Sequence, residues 1–581
     1  MTLSRHVLAP MLAAVAALAL RAPVGLAADY GGLGPTLGGA GPTSGIAAID
    51  THRFLHDITV LSSDDFEGRS PGTRGEALSI DYVERQFRQI GLAPGNPDGS
   101  YLQTVPMTGI ASRPQATIKV GAKTLHLRAP EDFVAFSAVR RPRVEITGSQ
   151  LVFVGYGVIA PEYHWDDYKG LDVRGKTLVM LINDPPVPDP KDPTKLDPKM
   201  FDGKAMTYYG RWTYKYEIAA KLGAAAAIIV HETGPAAYPY SVVVNSWGGE
   251  NFVLASSKPD EEYPTVASWI TSDKARELFS DAGLDFAALK KAAVSRNFRP
   301  VLLNARVHFT IDNRWRDIES HNVAGKLAGS DPQLRGQYVL YSAHWDHFGW
   351  DRRLPGSKHD QIYHGAHDNA SGVAALLELA RAFEALSRPP RRSILFLATT
   401  GEERGLLGAR YYALHPLYPL RDTVADINMD GIQSWGRTRD IELISAGKST
   451  LDDVVRAQAG LMGMVVEPDL HPERGSMYRA DQLEFARAGV PVVFLGGGLD
   501  VIGRPGGYGE RMTGDYIAHH YHQVTDTVDP RWDLSGAAQE IELLLRVGYS
   551  VAESSSDPQW NADSEFRAAR ERTMNAPRGG R

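Results

Sequence analysis

Residues 338–347 read Tyr338-Val339-Leu340-Tyr341-Ser342-Ala343-His344-Trp345-Asp346-His347, an uncharged run of strand length that stops in two histidines and an aspartate. A run with no polar alternation suits a strand buried on both faces, the situation of strands in a parallel sheet covered by helices. Three more runs of the same kind follow: Ile394 to Thr399, Val424 to Asn428 and Pro491 to Leu495. Between the first two, the stretch from Ser371 is apolar almost all round (Val373, Ala374, Leu376, Leu377, Leu379, Ala380, Phe383), which predicts a deeply packed helix. Strand and helix in alternation predict an α/β fold, a doubly wound, mostly parallel sheet with helices on both faces. In such sheets ligands bind beyond the carboxyl ends of the strands, so the residues after each run carry the chemistry.

Those residues are of one kind. The first run leads into His344, Asp346 and His347, the second into Gly401-Glu402-Glu403, and the third into Met429-Asp430-Gly431. Gly365-Ala366-His367-Asp368-Asn369-Ala370-Ser371-Gly372 places Asp368 just before the packed helix, and His519-His520-Tyr521-His522 comes late in the chain. Five of the 18 histidines lie between His344 and His367. With no cysteine in the chain, any metal must sit on His, Asp and Glu, a set that suits zinc, with manganese or cobalt as substitutes. The His-x-Asp pair lets Asp346 accept the second ring proton of His344 and fix its tautomer. Adjacent Glu402 and Glu403 point in different directions, so one can bind metal while the other acts as base.

Five blocks, Ser342 to His347, Gly365 to Gly372, Thr400-Gly401-Glu402-Glu403-Arg404-Gly405-Leu406-Leu407-Gly408, Asn428-Met429-Asp430 and Tyr521-His522-Gln523-Val524-Thr525-Asp526-Thr527, occur in the order of the signature blocks of the co-catalytic di-zinc peptidases of the twenty-eighth metallopeptidase family, which they resemble. The resemblance runs from about His52 to Phe566. It implies a zinc-exopeptidase-like fold and two zinc ions per chain: His344 and Asp430 on one, Glu403 and His522 on the other, Asp368 bridging both, and Glu402 as general base. The middle of the chain resembles a protease-associated domain through Gly155-Tyr156-Gly157, Asp172-Val173-Arg174-Gly175-Lys176, Leu222-Gly223-Ala224 and Tyr263-Pro264-Thr265-Val266. Two positions depart from the commonest pattern, His367 before the bridging aspartate and Gln482 after Asp481, and they put the shape of the specificity pocket in question. His347, His359 and His364 read as supporting or loop residues, since six family positions already satisfy two metals.

The rest of the chain sets the surroundings. Its 581 residues, net charge of -7 and lack of long basic runs exclude a nucleic-acid surface. Arg5 and His6 precede the apolar Val7 to Leu20, and Gly25-Leu26-Ala27 offers small residues for cleavage, so residues 1–27 read as an export signal to the periplasm or beyond. No later segment is long enough for stable membrane insertion. Residues 28–48 read as a Gly-rich flexible leader, 49–109 as the first part of the peptidase domain, 110–309 as the inserted α/β domain, 310–566 as the second part, and 567–581, rich in Arg, as a flexible tail.

Two metals sharing a water through Asp368 would lower its pKa toward neutrality, with Glu402 taking its proton and Tyr521 a phenolic donor to the tetrahedral oxyanion. The expectation is an aminopeptidase acting on short peptides. The alternatives are a carboxypeptidase of the same family and a non-catalytic peptide-binding relative, the latter opposed by the presence of Glu402. A single-zinc acyl transferase of the same fold would need fewer ligands, and no Gly-x-Ser-x-Gly elbow for serine hydrolysis is present.

Overall fold

The four apolar runs are the strands Tyr338–His344, Ser393–Thr399, Thr423–Asn428 and Val492–Gly496, and they pair in parallel. The computed structural model describes residues 41–255 and 258–575. Side chains alternate across each strand. Val339, Tyr341 and Ala343 pack into the core that also holds helices Thr51–Leu61, Arg74–Ile90, Gly372–Glu384 and Ser535–Glu553, whereas Tyr338 and Leu340 face the opposite core, with Leu407–Leu414 and Gln482–Arg487. Helix Gly372–Glu384 is buried at every position but Arg381 and Glu384, as its all-round apolar pattern predicts. Helices on both faces of a mostly parallel sheet make this the doubly wound α/β fold.

The boundaries expected at 109/110 and 309/310 fall inside continuous strands. Leu102–Val120 runs antiparallel along its whole length to residues 305–323 of Val301–Leu327, Leu102 opposite Val323 and Val120 opposite Ala305. Val301–Leu327 pairs with Ser393–Thr399 at one end and with Arg143–Phe153 at the other, so among the described residues sixteen strands form one sheet spanning both halves. A change in hydrophobic character along such a strand marks its passage from one layer to the next, not a break in it. Beyond it, Arg143–Phe153, Thr177–Leu181, Ala226–His231 and Val266–Thr271 run parallel and Phe133–Phe136 closes the edge antiparallel, with a core on each face.

Two terminal expectations need correction. Residues 1–40 and 576–581 lie outside the described residues, and with them the export signal, most of the leader and the end of the tail. The leader's last residues form helix Thr43–Ala48, where Gly45 is buried so close to the Ala382 carbonyl that a Cβ would lie 2.6 Å from it. The start of the tail is helix Arg567–Asn575, whose buried Arg570 donates to the carbonyls of Leu420 (3.0 Å) and Thr423 (3.2 Å). A high Arg content hid the apolar anchor made by Phe566 and Ala569. No helix of the described residues is long and apolar enough to cross a membrane.

Candidate metal centre

The parallel strands end on one side of the sheet, and the residues that follow them converge there. His344 closes its strand, Glu402 and Glu403 open the turn Glu402–Arg404 after Ser393–Thr399, and Asp430 follows Thr423–Asn428. Asp368 precedes helix Gly372–Glu384, held by Asp526, whose carboxylate accepts from the amides of His367 and Asp368, both at 3.0 Å. His522 joins from the far end of the chain in the left-handed region (φ 56), where a non-glycine residue is strained.

His344 Nε2 lies 3.3 Å from Asp368 Oδ1 and 3.3 Å from Asp430 Oδ1. His522 Nε2 lies 3.3 Å from Asp368 Oδ2 and 3.2 Å from Glu403 Oε2. Two ligands at 2.0–2.1 Å from a tetrahedral zinc stand about 3.3 Å apart, so all four separations fit ligand pairs around an ion, with one oxygen of Asp368 serving each of two groups. Charge points the same way. Asp346, Asp368, Glu402, Glu403 and Asp430 have only imidazoles as ion-pair partners among the described residues. Burial, reinforced by neighbouring carboxylates, pushes Glu402 and Glu403 well above the ordinary carboxylate range. Burial opposes a charge on His344, yet Asp430 and Glu402 drive its imidazole well above its usual range. The cluster is built for added positive charge.

The expected ligands His344, Asp368, Glu403, Asp430 and His522 are therefore brought together, and Glu402 stands beside them, Oε2 4.0 Å from His344 Nε2. Asp346 plays a different part from the one expected. His344 Nδ1 faces the backbone carbonyl of Asp346 at 3.1 Å, while the carboxylate, 3.8 Å away, turns to accept the Glu402 amide at 3.0 Å. It caps the turn that carries Glu402, and the carbonyl sets the His344 tautomer. Tyr521 is half-buried, lies against His522 with ring centroids 3.8 Å apart and the rings tilted by 30°, and lines the cleft over the cluster. His347, read from sequence as a supporting residue, is buried with Nδ1 in contact with Glu403 Oε1.

Three contributors were missed. Arg69 is fully buried and grips both ligand loops, donating to the carbonyls of Trp345 (2.8 Å), His364 (2.7 Å) and Gly365 (2.9 Å). Its guanidinium faces Asp526, Asp368, Asp346 and Glu403 and offsets part of their charge. Ser246, from the distant middle of the chain, places its hydroxyl 3.1 Å from His522 Nδ1, and Asn245 donates to the His522 carbonyl at 2.9 Å. The only signal for Arg69 was a basic residue in a Gly-rich turn, and for Ser246 there was none.

Residues 322–545 match the model of Peptidase family M28. This part of the chain belongs to that family. A vacuolar membrane protease of Lachancea thermotolerans is 33% identical over 126 residues, 22% of this chain and 11% of that protein. Aminopeptidase NAALADL1 of Mus musculus is 35% identical over 131 residues, 22% of this chain and 15% of the relative. The chain thus spans under a fifth of the length of these two relatives. In fold it is similar to an aminopeptidase from Aneurinibacillus sp. strain AM-1, with a TM-score of 0.51 at 18% identity over 89% of this chain and 96% of that one.

Proposed function

We propose that the chain is an exported zinc-dependent aminopeptidase that removes N-terminal residues from short peptides. The observation that carries this reading is the arrangement around Asp368: an imidazole at ligand-to-ligand distance from each of its two oxygens, a further carboxylate at the same distance from each imidazole, and Glu402 beside them. His344, Asp430 and Asp368 would hold one ion, and His522, Glu403 and Asp368 a second; His347 also brings a ring nitrogen within reach of an ion held by Asp368 and Glu403. When bound, such ions polarise a carbonyl and ease the ionisation of water. Glu402 is the proton carrier, held by its amide on Asp346 and kept basic by burial. Tyr521 lines the same cleft and supplies a phenolic donor. The middle region, read as a protease-associated domain, walls the cleft with Trp212, Trp247 and Tyr238, which favours short substrates over folded proteins.

One observation favours the carboxypeptidase reading. Arg211 in the same cleft is nearly buried, its Nε has no partner, and its strongest charged neighbour is another cation, Arg479. A buried guanidinium without an acid suits a substrate carboxylate. An unblocked tetrapeptide, its N-acetylated twin and its C-amidated twin separate the two. Loss of cleavage on acetylation supports the aminopeptidase, and cleavage of the acetylated peptide from its C-terminus overturns it. At least two zinc ions per chain are expected by elemental analysis of active protein; one or none refutes the paired arrangement.

A further inference from the structure

We propose that Asp64, His359 and His364 form a further metal site, separate from the strand-end cluster, that takes a divalent transition ion, zinc by its donor set. Asp64 Oδ1 lies 2.7 Å from His359 Nδ1 and 2.9 Å from His364 Nε2, so two imidazoles aim ring nitrogens at one carboxylate oxygen. The rings stand 4.4 Å apart at 43°. All three donor atoms fall within 4.8 Å of one another, the compass of a single ion.

The orientation of His364 is the second line of support. Its Nδ1 faces the Val524 carbonyl at 3.4 Å, a group that can only accept a proton. With its proton on Nδ1, His364 directs the Nε2 lone pair beside the Asp64 carboxylate, where a metal ion could take both; with the proton on Nε2 the same 2.9 Å contact is a hydrogen bond. A metal-binding imidazole whose other N–H rests on a backbone carbonyl is the usual way such a ligand is held. Two His, one Asp and water complete a four-coordinate zinc. The present separations are shorter than the roughly 3.3 Å edge of a zinc tetrahedron, and the half-exposed side chains of Asp64 and His359 can shift by that difference. The nearby ammonium of Lys358 is held elsewhere, 3.3 Å from Glu67 and 4.9 Å over the Trp350 ring.

The position gives the ion a structural task. Asp64 opens the turn that ends in Arg69, His359 opens the turn His359–Gln361, and His364 precedes the loop of Asp368. An ion there would tie these three segments together beside the loop that Arg69 holds through the His364 and Gly365 carbonyls.

The test uses the full mature chain as wild type, His359→Ala and Asp64→Asn, equilibrated at the same buffered free zinc and measured by elemental analysis and thermal unfolding. The expected result is one zinc fewer per chain in each variant, a zinc-dependent rise in Tm that the variants lack, and unchanged peptide hydrolysis at saturating metal. Equal zinc content and equal zinc-dependent Tm in all three proteins would overturn the proposal and leave a proton between the side chains. Because the reading is a difference, it does not depend on how many ions the strand-end cluster holds. An inactive enzyme would sink the peptidase assignment and leave this count standing.

Discussion

The two halves of the sheet are built alike and do different things. Each has parallel strands at its centre with helices packed on both faces, and both share Val301–Leu327. In the half that includes residues 322–545 the parallel strands run out into His344, Glu402, Glu403 and Asp430; in the other half they end at Leu181, His231 and Thr271. The difference shows that this architecture supplies a place for chemistry, while the residues just past the strand ends supply the chemistry itself. The second half acts through what it lends to the first, the Ser246 hydroxyl on His522 and the aromatic wall of the cleft.

The largest expected effect tests whether the chemistry is confined to one half. Glu402→Gln keeps size and removes the base, so kcat should fall by roughly 100- to 10,000-fold while bound zinc is retained, because Glu402 is not among the ligands. Glu403→Gln should instead lower the zinc content measured on the same preparation. Equal loss of metal and activity in both would show that the two glutamates do not divide the roles as proposed.

A second test compares how the halves carry buried charge. Burial raises Asp184 to about 7 and lowers its partner Lys215 to about 8 in one half, and raises Glu540 to about 7 in the other, where no cation offsets it. Glu540 ionises at a lower pH when unfolded, so between about pH 4.5 and 7 the folded state binds the extra proton and stability falls as pH rises, levelling above pH 7. Glu540→Gln removes that dependence, keeps an acceptor for the Gln433 amide, and should stabilise the protein at pH 8 by about 3 kcal/mol relative to its effect at pH 4. Asp184 is raised in the same direction, so Asp184→Asn should likewise favour the protein at pH 8 relative to pH 4, whereas Lys215, lowered to about 8, is charged in the unfolded chain up to about pH 10.5 and makes stability rise between pH 8 and 10 in that half alone. Denaturant unfolding at pH 4, 8 and 10 reads these effects, and a Lys215→Met variant that keeps the full gain in stability between pH 8 and 10 would break the contrast.

The strands with the ligands were legible because two local signals coincide there, an apolar run of strand length and an acid or histidine immediately after it. Nothing comparable marks Leu102–Val120 or Val301–Leu327, whose polar residues alternate with apolar ones and whose pairing is set by partners up to 221 residues apart, Leu102 opposite Val323. Their role as the common spine is tertiary information. The acceptor role of Asp346 was legible only as to residue: the spacing allowed its carboxylate or its carbonyl to meet His344, and the need of the Glu402 amide for an acceptor decided between them. Arg69 acts entirely through backbone carbonyls, which leave no trace in the side-chain pattern.

Ser246 offers the finest test of the comparison, since it is the one place where the second half touches a ligand's outer nitrogen. Its hydroxyl can accept the Nδ1 proton of His522, which fixes the tautomer that leaves Nε2 facing Asp368 and Glu403. Ser246→Ala removes that acceptor and leaves Asn245 on the His522 carbonyl, so the backbone stays anchored while the ring loses its tautomeric bias. Outer partners of metal-bound histidines are typically worth 10- to 100-fold in affinity or activity, and the loss here should fall in that range, seen as weaker zinc retention on dialysis with Tm nearly unchanged. Ser246→Thr keeps the hydroxyl and should restore zinc retention. If Ala and Thr behave alike, the hydroxyl does not orient His522, and the second half contributes only the wall of the cleft.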